Sequence, residues 1–120
     1  MGMSYKIDQK RRVVLTRGWG LITTRDVLDL TSRLLVDPRF DPTFRSLADL
    51  RDVTDVDVDH MATVHTAVTP VFAGGTRRAL VATSDVAYES ATAFASFAQR
   101  SGQDVRIFRD MQLAEAWLEL

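Results

Sequence analysis

Cysteine is absent from this chain of 120 residues. Disulfides, thiolate metal ligands and a cysteine nucleophile are thereby excluded, and the composition fits a reducing compartment. A surplus of either charge is missing as well: fifteen Lys and Arg against sixteen Asp and Glu leave a net charge of -1. No global field therefore exists to hold nucleic acid or an anionic membrane. No apolar run approaches the roughly 18 residues of a spanning helix, and the opening MGMSYKIDQK lacks the apolar core of a signal peptide. Lys6 stands where a myristoylation motif wants Ser or Thr. The expectation is a cytoplasmic protein with no nucleic-acid partner and no membrane-spanning segment.

What is present is enough for one folded domain over residues 1–120. Hydrophobic residues make up 46% and charged residues 26%, too apolar for a disordered chain. A chain of this length buries roughly two-thirds of its unfolded surface. Ser4 to Asp8 and Arg12 to Arg17 read as two short strands joined by the polar turn Gln9 to Arg11. Gly18 and Gly20 then flank Trp19, which fits either a mobile loop whose aromatic covers a pocket or anchors a partner, or packing of the ring over the sheet edge. Thr23 with Asp26 is a capping-box pattern, and Val27, Leu30, Leu34 and Leu35 repeat on one helical face until Pro38.

Residues 39–45 read as a loop anchored by Phe40 and Phe44, and Leu47, Ala48 and Leu50 as a short buried strand. A helix follows from Asp59 to Thr69, with Met61, Val64 and Val68 inward and Pro70 as its stop. Gly74 and Gly75 mark a turn before the strand Ala79 to Ala82. Ala87, Ala91, Phe94 and Ala98 define a helix from Asp85 that Gly102 closes, and Val105, Ile107 and Phe108 form the last strand. Asp110 caps a final helix with Leu113, Ala114, Trp117 and Leu118 inward. The order ββαβαβαβα predicts an α/β fold with a mixed, largely parallel sheet and an antiparallel edge.

Catalytic chemistry finds little support in these residues. Asp55, Asp57 and Asp59 alternate like the opening of an EF-hand loop, but His60 and Thr66 stand where that loop needs Gly and Glu. They read as a solvated acidic turn that caps the following helix. His60 and His65 are displaced by roughly 140° around a helix and cannot share a metal. The serines lack a strand-turn nucleophile setting, and Ser84 stands at a helix cap. Gly74, Gly75, Thr76, Arg77 and Arg78 could cradle an anion, but these glycines precede a strand where a phosphate loop precedes a helix, and the segment reads instead as a simple turn with solvated arginines. The expectation is no enzyme, no metal and no cofactor.

The stretch SLADLRDVTDVDVD, Ser46 to Asp59, resembles the signature of STAS domains, the bacterial anti-sigma factor antagonists. In that family a similar strand, turn and Asp lead into a phosphorylatable Ser. Asp57 takes the place of the Asp, and Val58 stands where the Ser would be. Together with the element order, the junction Leu80 to Asp85 and the C-terminal VRIFRDMQLAEAWL, the chain resembles most closely the SpoIIAA-like branch, which is compared with both STAS and CRAL-TRIO lipid-binding domains. The resemblance implies a non-catalytic regulatory or interaction module that binds itself as a homodimer or another regulatory protein. Its partner-binding residues would be Asp55, Asp57, Val58, Asp59, Met61, Val64 and Trp19. Valine accepts no phosphate, so binding would be constitutive or ligand-controlled. The alternative implied is a small apolar ligand or lipid-binding domain, with Met61, Val64, Val68, Phe72, Phe94 and Phe97 around the cavity.

Overall fold

In a computed structural model of the chain, which describes residues 2–120, Gly2–Asp8 (β1) and Val13–Thr23 (β2) pair as an antiparallel hairpin. The turn is fixed by the Asp8 carboxylate, which accepts from the Arg11 backbone N–H and from its Nε, each at 2.9 Å. The remaining elements are α1 (Thr24–Val36), β3 (Arg45–Asp57), α2 (His60–Val68), β4 (Arg77–Val81), α3 (Asp85–Arg100), β5 (Asp104–Phe108) and α4 (Met111–Leu118). The five strands lie in the order β1-β2-β3-β4-β5, all parallel beyond the hairpin. The expected α/β architecture is present. Among the described residues no helix is long and apolar enough to cross a membrane.

Each parallel strand is added on the same side of the one before it, and crossovers of this kind are right-handed. The connecting helices α1, α2 and α3 must therefore all cover one face of the sheet. The other face is left to α4, where Leu47, Ala79 and Val81 pack against Ala114 and Leu118. On the three-helix face Ala48, Leu80 and Val105 meet Ala91, Ala95 and Ala98 of α3. The small residues of that stripe let the helix lie close to the strands. Each helix begins on a side-chain cap: Thr23 with Asp26 makes the full reciprocal box, and Asp59, Ser84 and Asp110 accept from the backbone one turn in.

Several boundaries differ from the expectations. β2 does not end before Gly18 but runs through Trp19 and Gly20 to Thr23, with register shifts against β3 on either side of these residues. Gly18 is a packing site: a Cβ there would lie 3.1 Å from Leu50 and 3.3 Å from Ile22 and Val53. Trp19 is therefore part of the sheet and not of a mobile loop. β3 likewise continues through the acidic segment, pairing Asp55 with Leu21 and Asp57 with Thr23. The turn before α2 shrinks to Val58 and Asp59.

The inward faces of two helices also differ. Thr66 and Ala67 are the buried residues of α2, whereas Met61 is 69% and Val68 44% exposed. In α4 the line of contact is Ala114 and Leu118, both fully buried, and Leu113 is 62% exposed. One residue is a 100° step around a helix, so a short helix pressed on a single line turns the flanking apolar positions outward. The same step leaves Leu35 of α1 exposed beside buried Leu34.

Candidate functional site

Between the sheet and α1, α2 and α3 lies a cavity of about 460 Å³, within the range of roughly 300–1,000 Å³ typical of small-molecule sites. Its floor is the three-helix face of the strands, represented by Ile22, Leu50, Val53 and Leu80, and its walls include Leu30 and Leu34 of α1 and Phe94 of α3. On α2 the lining is smaller and more polar, namely His60, Thr63 and Thr66. Thr66 Oγ1 is already engaged, donating to the Ala62 carbonyl at 2.8 Å. His60, Glu89 and Ala93 are exposed lining residues and mark where the cavity meets solvent.

Arg78, near the start of β4, turns into this apolar space. Its neighbour in register on β3 is Ser46, only 7% exposed. The guanidinium lies over the Phe72 ring at 4.4 Å and the Phe94 ring at 5.5 Å. Nη1 donates to Gln103 Oε1, and Gln103 is in turn fixed by donating to the Ala67 carbonyl at 2.6 Å. Nε is wholly shielded and has no partner, and among the described residues no carboxylate pairs with this arginine. By accessible area the residue is half-buried, because part of its side chain faces the void. Burial pushes its pKa down to about 10, which still leaves it charged at neutral pH. A shielded charge without a counter-ion costs on the order of several kcal/mol.

No protein-family model matches the chain, and no curated protein sequence matches it either. Its backbone is similar to the crystal structure of an uncharacterised DUF3478-family protein from Shewanella loihica PV-4 that has a SpoIIAA-like fold. The two agree with a TM-score of 0.64 over 98% of this chain and 94% of that one, at 15% sequence identity. The chain has a SpoIIAA-like fold.

On this SpoIIAA-like scaffold the candidate residues read from the sequence do not form one cluster. Asp55 and Asp57 are exposed on β3, and Asp59 caps α2 by accepting from Met61 N–H at 2.8 Å. The Asp59 N–H itself donates to Thr24 Oγ1 at 2.7 Å, which ties the start of α2 to the start of α1. Val58 is half-buried, packs with Ile22, Val53 and Ala87, and lines the cavity. Met61 is outside and Val64 half-buried. Trp19 lies on the opposite face of the sheet from Gly18 by strand alternation, with Arg17 over its ring at 5.2 Å. Of the residues expected around a cavity, Phe72 and Phe94 line it, while Met61, Val64, Val68 and Phe97 do not.

The residue that sequence reasoning misplaced is Arg78, read as part of a solvated turn. Arg77 is exposed and donates to the Trp117 carbonyl at 2.7 Å, but Arg78 is not a solvated turn arginine. Strand alternation carries the signal that would have found it: Arg78 has the same parity as Leu80 and so shares its face. His60 sits edge-on to Phe97 at 5.7 Å by the cavity mouth, and His65 points outward from α2.

Proposed function

We propose that this SpoIIAA-like domain is a binding module for a small, largely apolar molecule, and that it works by binding and not by catalysis. The observation that carries this reading is the cavity itself, a mainly apolar space of about 460 Å³ between the sheet and three helices that is partly open to solvent. A test is a methyl NMR titration with decanol. Shifts are expected for Ile22, Leu50, Val53 and Leu80, on the cavity side, and none for Leu47, Val81 and Leu118 under α4. Absence of any saturable shift, or shifts confined to the α4 side, would remove the reading.

A second reading, a contact surface for another regulatory protein or a second copy, is favoured by the outer face of α2. Met61 and Val68 are exposed there, seven positions apart and therefore on one line of the helix. Because α2 also supplies Thr63 and Thr66 to the cavity, one helix faces both ligand and partner. Val58 removes phosphate as the switch at that position, and of constitutive and ligand-controlled binding the shared helix favours the second. Sedimentation with and without decanol tests this: a ligand-dependent mass change that Met61→Glu abolishes is expected, and a mass independent of both would refute it.

A further inference from the structure

The chain contains two worked examples of how its arginines hold carboxylates. Arg39 donates from Nε at 3.1 Å and Nη2 at 2.8 Å to the two oxygens of Asp37. Arg51 does the same to Asp49, at 2.9 Å from each nitrogen. In both pairs the side-on edge of the planar guanidinium matches the two oxygens of one carboxylate. Arg78 has its Nη1 occupied by Gln103, Nε without a partner, and no hydrogen bond from Nη2 among the described residues. Unlike in those two pairs the side-on edge is not open here: Nε is shielded by the protein, and Nη2 is the nitrogen left unbonded and unshielded on a residue that lines an apolar cavity.

We propose that the cavity takes a monoanionic amphiphile, an apolar chain or ring ending in a carboxylate, and that the Arg78 guanidinium, through Nη2, is the anchor of that carboxylate. The inference rests on the cavity-binding reading and names the chemistry of its ligand. Three features fit one occupant. Arg78 supplies one positive charge without a counter-ion among the described residues, which suits a singly charged carboxylate better than a doubly charged phosphate that would need further cations. Ser46, beside Arg78 in register and 7% exposed, adds a hydroxyl next to the head group. Ile22, Leu50, Val53 and Leu80 on the floor and Phe94 on the wall leave apolar surface for the remainder of the molecule.

The geometry also sets the direction of binding. β4 begins at Arg77, so Arg78 lies at the N-terminal ends of the parallel strands. α2 returns antiparallel to the strands and begins at His60, which places the mouth residue toward their C-terminal ends. The carboxylate would therefore lie at the deep end, with the tail extending toward His60 and Glu89. A guanidinium held in place by Gln103 and by Phe72 needs little reordering when the ligand arrives.

The experiment compares decanoate, decanol, decylamine and decyl phosphate on the unmodified protein at neutral pH, by calorimetry below their micellar concentrations. Decanoate should bind roughly tenfold or more tighter than decanol, the worth of a charge-assisted hydrogen-bonded pair, with decylamine weakest. Arg78→Gln should bring decanoate to the affinity of decanol. Arg78→Lys should recover only part of the difference, because it restores the charge without the planar guanidinium that Gln103 and Phe72 hold in place. Decanol and decanoate binding equally, or an advantage for decanoate that survives Arg78→Gln, would overturn the anchor while leaving the apolar cavity reading intact. Tighter binding of decyl phosphate would reject the carboxylate as the preferred head group. Binding of none of the four would reject the cavity reading and the anchor together. The head-group comparison needs no variant, so it stands even if an Arg78 substitution unfolds the domain.

Discussion

At Gly18 the missing side chain is itself a structural element. A valine there would place its branches among Leu50, Ile22 and Val53, which leave no room beyond the first carbon. Overpacking of this kind costs about 1–3 kcal/mol, and a lower urea midpoint for Gly18→Val is the expected outcome. Asp37 offers a pH-dependent counterpart. The Arg39 side chain, the Arg39 backbone N–H and the Tyr5 hydroxyl hold its carboxyl well below the usual carboxylate range. Because the folded pKa is the depressed one, this stabilisation is complete above the unfolded value of about 4 and is lost as pH falls through the folded value. Asp37→Asn should therefore lower the urea midpoint at pH 7, with the gap narrowing below about pH 4. A gap unchanged at pH 3 would contradict the assignment. At this scale the sequence is least legible, since glycine reads as a loop marker and arginine as a surface residue, and only three-dimensional surroundings reverse both readings.

Caps and stripes were far more legible, because they depend on neighbours one helical turn away. Thr23 and Asp26 announce α1 in the sequence and form the box in the structure, so Thr23→Ala is expected to cost about 1 kcal/mol. Stripes were legible only in part. Leu113, Ala114, Trp117 and Leu118 all fit the inward side of α4 by periodicity, yet the sheet selects Ala114 and Leu118. Leu118→Ala should cost about 2–5 kcal/mol, and Leu113→Ala should fall within about 0.5 kcal/mol of the parent. Equal losses in the two variants would show that the helix is rotated from this position. Trp117 is intermediate: it packs at 5.8 Å from the Phe108 ring while Arg106 and Arg77 cover it at 4.8 and 5.5 Å.

For the whole molecule, alternation of strand and helix patterns was sufficient to give the parallel sheet, and handedness then dictates three helices on one face. The cavity was not legible as such. It arises where α2 presents Thr63 and Thr66 and not its larger apolar residues, a rotation that local periodicity does not determine. One side chain closes the architecture. Arg45, at the start of β3, donates to the carbonyls of Leu118 and Glu119 (3.2 Å for Glu119) and to that of Arg11. It joins the hairpin turn, the central strand and the end of α4. Arg45→Met is expected to lose about 1–3 kcal/mol and to speed amide exchange at Glu119 and Leu120. Loss of stability without faster exchange there would show that the carbonyl contacts are not what it contributes.

The match between strand order and chain order has a consequence for biosynthesis. Since β1 to β5 lie side by side in the sequence in which they are made, each strand leaving the ribosome finds its neighbour already synthesised, and no early strand must wait for a late one. The three-helix face can therefore be assembled progressively. The opposite face cannot, because its cover is α4, which follows all five strands in the chain. A nascent chain released only as far as Phe108 would carry Leu47, Ala79 and Val81 uncovered, and it is over that interval that holding by a chaperone, or sticking to another nascent chain, would be concentrated.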